Sequence, residues 1–214
     1  CSRKLAAEPK FLPAHLMLVN LSEQSGEFNK ALTHIDLCLE NVPQDSPQWL
    51  DFSNRKANIL MQAYIKTADA NYLKQAISQL ETNLKQRQND ETMMNNLAYL
   101  LADNDLELDK AVAYARRAHQ KLPGNPVFLD TYAYALCKAG QYAQAEQYMR
   151  RVIVSYERTN TTPPWDVYKH LGMALKGLNK NKDALAAVEK AAELGRDIPE
   201  KEKTYLDKTI QSLK

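Results

Sequence analysis

Apolar residues recur along this chain at spacings of three and four, the period of a helix buried along one side. The clearest stretches are Ala31, Ile35 and Cys38, then Ala145, Met149 and Val152, then Ala184, Val188 and Ala191. Polar residues fill the positions between them. Only 6 glycines and 9 prolines punctuate the chain, which is thin for a sandwich or barrel with many turns. The stretches come in pairs, and prolines and glycines fall between them. This spacing predicts helix pairs at about 12–43, 47–89, 90–123, 126–157 and 164–195, a half-helix at 1–8 and a final helix at about 199–213. The final helix is amphipathic, with Ile198, Tyr205, Leu206, Ile210 and Leu213 as its apolar set.

The punctuation is in phase. Pro9 and Pro43 are 34 residues apart, each ending an apolar stretch, and Pro123 ends another. The 9 prolines can all sit between helices or in a first turn, where no helical hydrogen bond is lost. A short phrase of turn residue, aromatic and alanine also recurs. It reads Gly26-Glu27-Phe28-Asn29-Lys30-Ala31, then Gly140-Gln141-Tyr142-Ala143-Gln144-Ala145, and more weakly Asn179-Lys180-Asn181-Lys182-Asp183-Ala184. Residues 71–76 and 106–111 hold the same place with small insertions. The small residues Ala31, Ala76, Ala111, Ala145 and Ala184 mark where two paired helices approach most closely, since a larger side chain would hold them apart.

A 34-residue helical period with these positions resembles the tetratricopeptide repeat, whose unit reads W-x₂-L-G-x₂-Y…A-x₃-F…P. The best copy has Leu129 in the Trp place, Tyr132 and Ala133 in the Leu-Gly place, Leu136 in the Tyr place, then Ala145, Met149 and Val152. Another copy aligns Tyr168, Leu171, Gly172, Leu175, Ala184, Val188 and Ala191, and a third aligns Leu97, Ala98, Leu101, Ala111, Ala115, Ala118 and Pro123. The first copy aligns His15, Leu18, Val19, Ala31, Ile35, Cys38 and Pro43. The most divergent has Leu60, Met61, Tyr64, Ala76 and Leu80. The resemblance implies an all-α fold, a right-handed α-α superhelix of about five helix pairs with a C-terminal capping helix, running as a single array over residues 1–214. Two irregularities break the period. The stretch Gln48–Thr67 is long for a first helix, and Ser155–Trp165 lengthens a junction, either as a tolerated loop or as a partner contact through Tyr156 and Trp165.

Composition narrows the function classes. Lys+Arg number 28 and Asp+Glu 26, a net charge of +2, and the basic residues are scattered, so charge proposes neither nucleic acid nor a membrane surface as partner. The longest apolar runs are six residues, at 97–102 and 132–137, against about 20 for a membrane-spanning helix. The 3 cysteines cannot all pair; Cys38 and Cys137 fall on apolar helix faces and read as buried reduced thiols. The start at Cys1 reads either as a cut from a longer chain or as the lipidated first residue of a mature bacterial lipoprotein, and the phrase Leu129–Leu136 has a bacterial look. The compartment, cytoplasmic or bacterial envelope, stays open.

Candidate chemistry is sparse. The 4 histidines show no metal-pair spacing, and no phosphate loop or nucleophile elbow occurs. His15 reads as a packed imidazole. No catalytic, metal or cofactor residue is assigned. Tetratricopeptide arrays hold partners against the outward residues of their first helices. Read by spacing, these are Arg55, Asn58, Gln62 and Lys66 in the second pair and Asn95, Tyr99 and Asp103 in the third. The fourth pair supplies Asp130, Tyr134 and Lys138, and the last supplies Lys169, Met173 and Lys176. Amides can bond an extended backbone, tyrosines offer rigid contact area and lysines receive carboxylates. The expected function is a non-catalytic scaffold for a protein or peptide. The alternatives are the assembly portion of a bacterial envelope protein for polysaccharide export or secretion, and a substrate-recruiting array attached to an upstream enzyme.

Overall fold

The structure, a computed structural model, describes residues 10–195 and 198–214. The half-helix expected at 1–8, together with Cys1 and Pro9, lies outside the described residues. Every regular element described is an α-helix. In chain order they are α1 (Leu12–Gln24), α2 (Phe28–Glu40), α3 (Pro47–Thr67), α4 (Ala70–Gln86), α5 (Glu91–Asp103) and α6 (Leu108–Lys121). They continue with α7 (Pro126–Lys138), α8 (Tyr142–Arg158), α9 (Trp165–Gly177), α10 (Asn181–Leu194) and α11 (Glu200–Leu213). Successive helices span 12–40, 47–86, 91–121, 126–158 and 165–194, where the spacing suggested 12–43, 47–89, 90–123, 126–157 and 164–195.

Local chemistry explains the boundaries. The side chains of Ser46, Asp69 and Asn125 each accept a backbone N–H in the first turn of α3, α4 and α7, satisfying a donor the helix cannot. Asp90 does the same for Met93 ahead of α5. Pro47 and Pro126 occupy first-turn positions, where a missing N–H costs nothing. Four of the five turns within pairs share one construction. Gly26, Asp105, Gly140 and Asn179 all have left-handed backbone, with φ of 73°, 54°, 76° and 58°. The next amide then reaches back five residues: Glu27 to Ser22 (2.8 Å), Leu106 to Leu101 (2.9 Å), Gln141 to Leu136 (2.9 Å) and Lys180 to Leu175 (3.0 Å). This is the Schellman closure, for which glycine is the least strained residue. Asn179 and Asp105 do the same work without glycine, as short polar residues can. Asn160 closes α8 likewise, with φ of 52° and a 3.0 Å bond from Thr161 N–H to Tyr156 C=O.

Two compact units make up the chain, one ending at Leu100 and the other running from Leu101 to Lys214. In the first, α1 pairs with α2 and α3 with α4, and α2 packs on α3. Its core gathers Val19, Phe28, Ala31, Ile35, Cys38, Phe52, Ile59 and Ala63. In the second, α7 pairs with α8 and α9 with α10, while α6 packs on α7, α8 on α9 and α10 on α11. Here Leu129 and Val152 meet Val167 across the α8–α9 junction. Leu206 of α11 covers Val188 and Ala191, with Ile198 and Ile210 beside it. Tyr205, in the apolar set expected of that helix, is 38% exposed. The five contact alanines 31, 76, 111, 145 and 184 are all fully buried. Tyr156 and Trp165, at the ends of the long junction, are half-buried and pack on these clusters.

The most divergent pair has a physical reason for its divergence. α3 has 21 residues, about 31 Å of helix, and its extra turns lie against the end of the 17-residue α4. Between them is a polar cluster in place of an apolar seam. Ser53 donates to Asn83 Oδ1 (2.6 Å), Gln79 donates to Ser53 (2.8 Å) and to Asn83 (3.0 Å), and Asn83 donates to Asn54 Oδ1 (2.8 Å). Ser53 and Asn83 are fully buried, which is tolerable only because each is bonded.

Candidate functional site

The first helices of successive pairs are joined by polar side chains. In the unit ending at Leu100, Arg55 of α3 donates to Asn20 and Glu23 of α1. Asn96 of α5 donates to Asn58 Oδ1 of α3 (3.1 Å). An open, polar cleft of about 410 Å³ is lined by Asn20, Glu23, Gln24, Arg55 and Gln62. Gln62 and Lys66 are exposed, while Asn58 and Tyr99 are half-buried. Asn95 is 6% exposed, and its Oδ1 is buried without a hydrogen-bond partner.

In the unit from Leu101 the same pattern continues. Tyr134 of α7 donates to Asp103 of α5 (2.9 Å). Its ring stacks on His170 of α9, with centroids 4.0 Å apart and planes at 18°. His170 Nδ1 lies 3.1 Å from Asp130 Oδ1. Lys169 Nζ reaches Glu202 of α11 (3.1 Å) and lies over the Trp165 ring at 5.1 Å. Lys138 pairs with Asp105 (2.8 Å), and Lys176 donates to Ser212 (3.1 Å). Tyr134 and Lys169 are buried, Asp130 and Lys138 half-buried, and Lys176 exposed.

The charges in this second set are sorted by position along the helices. Asp166 stands in the first turn of α9 and Asp130 just past the first turn of α7, with Lys138 and Lys176 in the last turns of these helices. Acids at helix starts and cations at helix ends suit the backbone dipole. The result is an acidic edge and a basic edge, separated by roughly 12 Å of helix. At the acidic edge, burial pushes the Asp166 carboxyl above its ordinary value; His170 opposes that and the Asp130 charge adds to it. Burial and these two carboxylates also raise the Tyr156 phenol. At the basic edge lies a cavity of about 360 Å³, lined by Asp105, Cys137, Lys138, Tyr142, Met173, Lys176, Gly177 and Tyr205.

Three of the residues read from spacing, Arg55, Asn58 and Gln62, are brought near one another on α3, and Asp130, Tyr134, Lys138, Lys169 and Lys176 fall on α7 and α9. Spacing named one partner, Asp103, and missed the others: Asn20, Glu23, Asn96, His170, Glu202 and Ser212. A signal for them exists, since the bonded pairs lie 31 to 40 residues apart, close to one repeat. His15 packs as expected. It is 3% exposed and its Nδ1 is 3.1 Å from Nδ1 of His34. Burial lowers the His34 imidazole, and His15 lowers it further. Cys38 and Cys137 are free and buried, and burial pushes both thiols up to about 11. Among the described residues no group of three or more His, Cys, Asp or Glu could hold a metal ion, and no helix is long and apolar enough to cross a membrane.

Comparisons with known proteins agree on the fold. No family model matches the chain. A TPR repeat-containing protein of Pseudomonas aeruginosa is 31% identical over 100 residues, covering 45% of this chain and 16% of that longer relative. The crystal structure of PilW, a widely conserved type IV pilus biogenesis factor, superposes with a TM-score of 0.67 at 17% identity, covering 96% of this chain and 87% of that one. A thermophilic TPR protein of Thermus thermophilus gives 0.65 at 16% identity, covering 94% and 99%. YrrB, described as a TPR protein with an unusual peptide-binding site, gives 0.61 at 16% identity and 97% of both chains. At these identities the structural likenesses show the fold alone. Phased helix pairs, buried contact alanines, repeated turn closures and these likenesses together give the described residues the tetratricopeptide repeat fold.

Proposed function

We propose that this chain is a non-catalytic scaffold that holds a peptide or protein partner against its first helices. The observation that carries this reading is the placement of polar chemistry. Polar side chains of α1, α3, α5, α7 and α9 bond from one first helix to the next, beside cores of apolar side chains. Such a surface is already ordered before a partner arrives, which lowers the entropy lost on binding. Arg55, Asn58, Gln62, Lys66, Asn95, Tyr99, Asp130, Tyr134, Lys138, Lys169 and Lys176 form the proposed contact set. Exposed members make direct contacts, and the buried ones, Asn95, Tyr134 and Lys169, hold the surface in place.

Site-specific photo-crosslinking tests the reading. A photoreactive residue at Gln62 or Lys176, on first helices, is expected to capture the natural partner. The same residue at Thr82 or Lys121, on second helices, is expected to capture far less. Capture from Thr82 and Lys121 alone would move the partner to the opposite side of the pairs and overturn the proposal.

A further inference from the structure

The cavity at the basic edge of the Leu101–Lys214 unit has a defined chemistry. Tyr142 and Met173 supply its apolar side, and Cys137 contributes a small buried thiol. Tyr142 fits there because residue 177 is glycine: a Cβ at that position would stand 2.5 Å from the Tyr142 ring. Tyr205 reaches in from the last helix, 38% exposed although it is a large aromatic residue. Two ammonium groups stand at the rim. Lys138 spends a contact on Asp105 and Lys176 one on Ser212, and an ammonium group has three protons to give. With Asp105 counted, the rim is net cationic. An apolar cavity of about 150 Å³ already admits benzene, so about 360 Å³ has room for a ring together with an attached anion.

Resting on the scaffold reading above, we propose that this cavity is the anchor point for the partner. It takes a bulky apolar side chain, aromatic by preference, that adjoins a carboxylate on the same protein segment. The side chain lies between Tyr205, Met173 and Tyr142, and the carboxylate meets Lys138 and Lys176. Charge complementarity selects an acidic segment over a neutral one. Tyr205 makes the last helix a wall of the binding site as well as a cover for the apolar end of α10.

The test uses small probes on the full chain. N-acetyl-phenylalanine carries the ring and the carboxylate, and N-acetyl-phenylalaninamide carries the ring alone. Each is titrated while the Met173 methyl signal is followed by NMR. Acetyl-phenylalanine is expected to shift that signal saturably, at least several-fold more tightly than the amide. Tyr205→Ala and, separately, Lys176→Gln are expected to weaken it several-fold, with the helical circular dichroism unchanged. Equal affinity for the two probes would overturn the carboxylate part, and no saturable shift by either would overturn the anchor altogether. In either case the scaffold reading is judged separately, by crosslinking from Gln62 in the other unit. Loss of that capture, and not the probe result, is what would sink it.

Discussion

Single residues set the tolerances of this fold. Ala145 is fully buried where α7 and α8 meet. Ala145→Leu should destabilise by about 1–3 kcal/mol through overpacking, read as a lowered Tm. Ala68, between α3 and α4, has a φ of 55°, a backbone that costs an alanine and not a glycine. Ala68→Gly should therefore raise stability by up to about 1 kcal/mol in chemical denaturation. Asp166 offers a pH test. Burial raises its carboxyl in the folded chain. A carboxyl raised on folding costs stability once the unfolded chain would ionise it, and that cost grows as pH rises through the folded value. Asp166→Asn should thus raise Tm at neutral pH, and the gain should vanish well below pH 4, about the ordinary aspartate value. A gain that persists there would point to a cause other than ionisation.

Helix pairs are the scale at which the chain is most readable. Prolines marked several helix starts in the sequence, and Gly26 and Gly140 marked two turns, while the capping side chains Ser46, Asp69 and Asn125 showed only in the structure. Asp105 and Asn179 were harder to read because the left-handed backbone there is supplied by residues that also occur on helix surfaces. The amide cluster between α3 and α4 was not legible. Ser53, Asn54, Gln79 and Asn83 look in sequence like solvated positions, and only the packing of two extended helices buries them. Asn83→Leu should cost about 1–3 kcal/mol by stranding those partners, measurable by urea unfolding. On the candidate face, spacing named positions on the first helices. Of their bonded partners it named only Asp103, because pairing depends on which rotamer of one first helix meets the next.

Repeats that touch mainly their neighbours confine damage. Amide exchange in Ala145→Leu should accelerate in α7, α8 and α9 and leave α1 to α3 as in the parent. Uniform acceleration along the chain would mean one cooperative unit. The two buried cysteines make the same distinction by chemistry. Cys38 lies in the unit ending at Leu100 and Cys137 in the other. With thiols held at about 11, neither presents thiolate to a reagent while its surroundings stay closed. Once Cys1 is replaced by serine, each remaining thiol is a clock. Its alkylation rate records how often its own neighbourhood opens, so the Cys1→Ser chain carries two separate timers, each read as a mass increase.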